Sequence, residues 1–127
     1  MNLYSYFVRL ESVLRSRQEI QVENSSFDVT PEGTKFECQL RFYDGSRLVI
    51  SELVEEVRKR AIHRIDYKFH YQDADGNLIF RYDNAPHHPH IPTFPDHKHE
   101  GDAIVEAEPP DLSDVLAEID AIIYTDE

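Results

Sequence analysis

Five of the chain's seven histidines, His87, His88, His90, His97 and His99, fall within thirteen residues, and Arg81, Asp83, Asp96 and Lys98 stand among or just before them. Imidazole, with an ordinary pKa of about 6.5, can take or give a proton near neutrality, and it is the commonest transition-metal ligand. Two chemistries therefore compete for residues 81–99, with a solvated loop that docks a partner protein as a third reading. The first is metal-free acid–base cleavage of a phosphodiester. RNA carries its own nucleophile in the 2′-hydroxyl, so cleavage needs a base, an acid for the leaving 5′-oxygen, and a cation at the phosphate. His97 or His99 suits either proton position, and Arg81 offers its fork to the phosphate. Lys98 would add positive charge, and Asp83 would orient an imidazole.

The second chemistry is a metal-dependent hydrolase. His97 and His99 on extended backbone point their rings the same way, and Asp83 or Asp96 could complete a site with them. The rest of the histidines are harder to recruit. Prolines stand at 86, 89, 92 and 95, a period of three. Polyproline II has three residues per turn, so the spacing predicts a stiff extended rod. One edge would carry His87 and His90, and another His88, Ile91, Phe94 and His97, with Ile91 and Phe94 packed on the sheet. Three residues of such a rod span about 9 Å, which parts His88 from His97. With Arg81 and Lys98 already supplying charge, the expectation is no cofactor.

Two motifs in this stretch, Arg81-Tyr82-Asp83-Asn84-Ala85-Pro86-His87-His88 and Phe94-Pro95-Asp96-His97-Lys98-His99, follow the run Tyr67–Tyr71 and its turn. Together they resemble the TumE-like family of small bacterial and archaeal toxin–antitoxin proteins, densest over residues 65–99. The resemblance implies a toxin directed at RNA and paired with a helix-turn-helix antitoxin. The motif positions it carries over are Arg81, Asp83, His87, His88, His97 and His99, with His87 and His88 on the substrate side. Tyr71 and Tyr82 are candidates for stacking on bases, although their alternation with polar neighbours fits core packing equally. A homodimer is compatible with these expectations.

The elements that must position these residues follow from periodicity. Leu3, Tyr6, Phe7, Leu10, Val13 and Leu14 recur at helical spacing, with Asn2 as cap. From about residue 18 the period becomes two. Ile20, Val22, Phe27 and Val29 suggest a strand broken by the polar run Glu23–Ser26, and Phe36, Cys38, Leu40 and Phe42 mark a half-buried one. Asp44-Gly45 and Asp75-Gly76 are hairpin signals. Between them the run from Arg47 to Val57 reads as a strand, against a helix suggested by the composition of Glu52–Arg60. Ile65, Tyr67, Phe69 and Tyr71, then Leu78, Phe80 and Tyr82, form the clearest hairpin. Pro109-Pro110-Asp111 announces a last helix capped by Asp111 with Asp114, whose stripe is Leu112, Val115, Leu116, Ile119, Ile122 and Ile123.

The expected architecture is α+β and one domain over 1–127. It comprises a helix over 1–16, an antiparallel meander of about five strands over 18–83, a His/Pro-rich loop over 84–99, and an acidic linker and helix over 100–127. Both helices should lie on one face of the sheet, leaving the other free for function. Cys38 is the single cysteine, so no internal disulfide forms, and its place in an apolar alternation reads as core. Signal-peptide and membrane-span patterns are missing, which points to the cytoplasm. Residues 1–99 carry 15 acidic and 13 basic residues, whereas residues 100–127 carry ten acidic and no basic ones. That acidic tail argues against strong non-specific nucleic-acid binding and reads as a solvated surface, a competitor for a nucleic-acid site, or a dock for a basic partner.

Overall fold

Strand alternation and two positive-φ turns build most of the sheet. The computed structural model describes residues 2–17, 19–58 and 61–124. A helix, α1 (Leu3–Arg15), leads into seven antiparallel strands laid side by side in chain order, and a second helix, α2 (Leu112–Ile123), ends the fold. The strands are β1 (Ile20–Thr30), β2 (Gly33–Phe42), β3 (Arg47–Val57), β4 (Ala61–Gln72), β5 (Leu78–Asp83), β6 (His97–Glu100) and β7 (Ala103–Glu106). Gly45 and Gly76 turn the β2–β3 and β4–β5 hairpins at φ of +87° and +90°, values that a side chain would oppose. The Asp44 and Asp73 carboxylates accept backbone N–H groups across these turns.

Register decides which residues share a face. Cys38 pairs with Ile50, Leu40 with Leu48, Ile50 with Phe69, Leu48 with Tyr71, and Tyr71 with Phe80. These side chains are buried together with Leu10 of α1 and Leu112, Val115, Leu116 and Ile119 of α2. Both helices therefore cover the same face, as the two stripes required. Asn2 caps α1 by accepting from Ser5 N–H, and Asp111 with Asp114 closes a reciprocal capping box on α2. Burial pushes the Cys38 thiol up to about 11, so it stays a neutral core side chain. No helix among the described residues is long and apolar enough to cross a membrane.

Three expectations need correction. The meander has seven strands, because part of the supposed loop (His97–Glu100) and part of the supposed linker (Ala103–Glu106) pair as β6 and β7. The segment His97-Lys98-His99-Glu100 has polar residues on both faces, so it gives no apolar alternation to read. β1 is continuous through Glu23–Ser26, with a register shift between Val22 and Asn24. An edge strand needs little apolar burial to stay paired, so the polar run does not break it. The proline segment is not a polyproline rod. Ile91 N–H bonds to the His88 carbonyl, Phe94 N–H to Ile91, and Asp96 N–H to Thr93, making successive turns. Proline's fixed φ suits the second position of a turn as well as a rod, and Pro89 and Pro92 hold that position. Ile91 is buried against the fold, while Phe94 is 43% exposed. The expected boundaries at Met1 and Gln18, the end of the Glu52–Arg60 run and the last three tail residues fall outside the described residues.

Leu40 of β2 is fully buried in the core. Leu40→Ala is expected to cost about 2–5 kcal/mol in urea unfolding, whereas Val29→Thr on the exposed edge should change stability by less than about 0.5 kcal/mol.

Candidate active site

The pleat that buries Phe69, Tyr71 and Phe80 sends the intervening residues to the uncovered face. There Lys68 of β4 pairs with Asp83 of β5, which pairs with His97 of β6, while His70 pairs with Arg81 and Arg81 with His99. Two parallel rows of polar side chains thus cross three strands.

Asp83 is the centre of these rows, with its side chain 6% exposed. Its Oδ1 accepts from the Ala85 backbone N–H at 2.9 Å and faces His97 Nε2 at 3.0 Å. Its Oδ2 accepts from Arg81 Nε at 2.9 Å and lies 3.5 Å from His99 Nε2. Burial pushes the Asp83 carboxyl up, but the Ala85 N–H, the His97 charge and the Arg81 guanidinium outweigh it and hold the carboxyl below the usual range. His97 is buried, and its Nδ1 is 2.9 Å from the Pro95 carbonyl. A carbonyl oxygen only accepts, so Nδ1 carries a hydrogen and the ring is fixed from both ends.

The turns of the proline segment bring His88 onto these rings. Its ring centre is 4.8 Å from that of His97 and 6.0 Å from that of His99, and His97 and His99 lie 4.9 Å apart. The separation expected from a rod is therefore overturned. Partial burial and the neighbouring His97 charge hold both His88 and His99 below the ordinary histidine value, although Asp83 pulls each the other way. Both rings are neutral at pH 7. His87 and His90 remain exposed outside this trio.

The loop path has its own anchors. Asn84 extends the β4–β5 ladder with its side-chain amide, accepting from Tyr67 N–H and donating to the Ile65 carbonyl. Tyr67 Oη donates to Asp96 at 2.9 Å, and Thr93 Oγ1 links the Asp96 carbonyl to the Ala107 N–H. Beside Asp83 a groove of about 580 Å³ opens between β4 and the start of the loop, lined among others by Ser51, Lys68, Arg81, Asn84 and Pro86.

Three expected site residues are not brought to this face. Lys98 lies between two outward histidines, so alternation turns it inward, where Nζ meets Glu118 at 2.6 Å and Glu100 at 2.8 Å. Tyr82 is turned inward for the same reason. It donates to Glu118 at 2.6 Å, and its hydroxyl is pushed up to about 12 by burial and that carboxylate. Tyr71 is fully buried and donates to Ser46 Oγ, so it presents no ring to a base. The cation that the sequence reading missed is Lys68. It shares the open face with Arg81, and no carboxylate pairs with it among the described residues. The signal was available, because the alternation that buries Tyr67 and Phe69 turns Lys68 outward.

Removing the central charge gives a stability test. Asp83→Asn is expected to destabilise the fold by about 1–3 kcal/mol at pH 7, because the Arg81 guanidinium and the Ala85 N–H lose a buried carboxylate partner. A depressed carboxyl pKa stabilises above the unfolded value of about 4 and loses that contribution as pH falls through the folded one. The wild-type excess over the variant should therefore shrink in urea titrations below about pH 4. An excess constant down to pH 2 would show that Asp83 is not held ionised.

A family model described as Toxin TumE matches residues 10–124 of the 127-residue chain, and so spans the sheet, the histidine trio and α2. No curated protein and no solved structure matches the chain. The match takes in Arg81, Asp83, His88, His97 and His99 together with the core that positions them, and the chain belongs to the TumE toxin family, whose members imply an antitoxin partner.

Proposed function

We propose that this toxin cleaves RNA by metal-independent acid–base catalysis on the open sheet face, and that a helix-turn-helix antitoxin holds it inactive. The observation that carries this reading is the surroundings of the Asp83 carboxylate. Arg81 Nε and the Ala85 N–H donate to it, and His97 and His99 Nε2 lie 3.0 and 3.5 Å from it, so it acts as the anion that gathers two imidazoles and a guanidinium beside a groove. His99 is the base for the 2′-hydroxyl, since it is neutral, partly exposed and oriented through Asp83. His88 is the other proton-transferring ring, on the solvent side of the trio. His97 is too buried to reach substrate and serves to fix Asp83 and its neighbours. Arg81 holds the phosphate, and Lys68 takes the supporting charge that the sequence reading gave to Lys98. The Asp83 network closes within one chain, so the chemistry requires no homodimer.

The test is cleavage of a labelled RNA by the full chain, with and without EDTA. Activity should survive the chelator. His99→Ala and Arg81→Ala should each slow cleavage by at least about a hundredfold, and both should relieve growth arrest on expression without antitoxin. Lys98→Met should leave the rate unchanged at temperatures where it stays folded. Because both accessible histidines titrate below the ordinary value, kcat/KM should trace a bell whose optimum lies below about pH 6.5. An optimum above neutrality would contradict the pairing of His99 with His88. No cleavage by protein that still binds its antitoxin would favour a docking module over an enzyme.

A further inference from the structure

We propose that His88, His97 and His99 form a binding site for a zinc-type divalent cation, and that the bound ion blocks cleavage by occupying the rings that would move protons. The second half rests on the acid–base reading above. The first half does not.

One ligand nitrogen from each of the three rings can be chosen so that all lie within 4.8 Å of one another. A tetrahedral zinc with bonds of 2.0–2.1 Å holds its nitrogens about 3.3 Å apart. The rings therefore need to close by no more than about 1.5 Å. That movement falls to His88, which sits on a turn, while His97 and His99 are set by β6. The three rings meet at 70–75° to one another and do not stack. His97 Nδ1 is tied to the Pro95 carbonyl, the outer-shell arrangement that fixes the ring of a metal-bound histidine and leaves Nε2 for the ion. The three rings form the group of mutually close ligand atoms without Asp83, so the fourth position is left to water. Three imidazoles select zinc, cobalt, nickel or copper over magnesium and calcium. A ring whose lone pair binds an ion cannot accept the proton of a 2′-hydroxyl.

The experiment titrates Zn²⁺, Co²⁺ and Mg²⁺ into EDTA-stripped, dialysed full-length chain by calorimetry, with the visible spectrum of the cobalt form as a report on geometry. Zn²⁺ and Co²⁺ should bind one per chain, Co²⁺ with the intense bands of a tetrahedral site, and Mg²⁺ should not bind. His88→Ala and His99→Ala should each weaken binding at least about tenfold, while His87→Ala and His90→Ala should leave it unchanged. If the second pair weakens binding as much as the first, or wild type binds no better than the His88→Ala/His99→Ala double variant, the site is overturned and the segment is only a histidine-rich surface. In the cleavage assay, zinc should inhibit the stripped enzyme, and EDTA should restore it. Cleavage that requires zinc would overturn the blocking role and the metal-free reading together, while the titration still decides the site.

Discussion

A carboxylate removed from water costs several kcal/mol unless donors replace its hydration. Asp83 meets that demand from three places: Arg81 on its own strand and Ala85 where the loop begins donate to it, and His97 and His99 on β6 lie against it at 3.0 and 3.5 Å. Each of these groups imposes a condition on the chain. The two imidazoles require β6 to pair with β5 in one register, and that register requires the intervening segment to return to the sheet at Asp96. The segment is held on that path by Asn84, Thr93 and the Tyr67–Asp96 bond. The site is thus the set of groups that keeps one buried charge solvated by protein.

The sheet separates two kinds of polar work. Beneath the helices, Lys98, Tyr82 and Glu118 form one ion-paired cluster, and Glu52 bonds to Tyr6 and Arg64 in another. These groups join helix to sheet. Among the acids of the C-terminal segment, Asp111 and Asp114 cap α2, Glu118 meets Lys98, and Asp120 pairs with Arg17 just past the end of α1. Those acids belong to α2 and its cap, whereas Glu106 pairs in register with His97 and shares the face of Asp83; α2 does not line the groove.

What the sequence made legible was parity. The alternations of β2, β4 and β5, the glycine turns and the two capped helices were all readable, because apolar period and turn chemistry report on one local fact at a time. The same parity put His97 and His99 on one face. Applied one residue further, it would have removed Lys98 and Tyr82 from the site and added Lys68. Two features were not legible. β6 alternates histidine with lysine and glutamate, a pattern without apolar contrast. The prolines at a spacing of three suit both a rod and a chain of turns, and only the tertiary anchors at Tyr67, Asp96 and Ala107 decide between them. His88 followed the prolines, so its meeting with His97 and His99 could not be read from spacing.

Every strand pairs with its neighbour in sequence, and the residues around Asp83 all lie between β4 and β6. Contacts of such short range form early and fast. The apolar seal on the opposite face comes last, since α2 supplies Leu112, Val115, Leu116 and Ile119 only after the sheet has been made. During synthesis from the N-terminus, the Asp83 face thus emerges from the ribosome before α2, which completes the core on the opposite face. A nascent chain lacking its last helix holds every residue of the Asp83 cluster, yet its core lacks Leu112, Val115, Leu116 and Ile119.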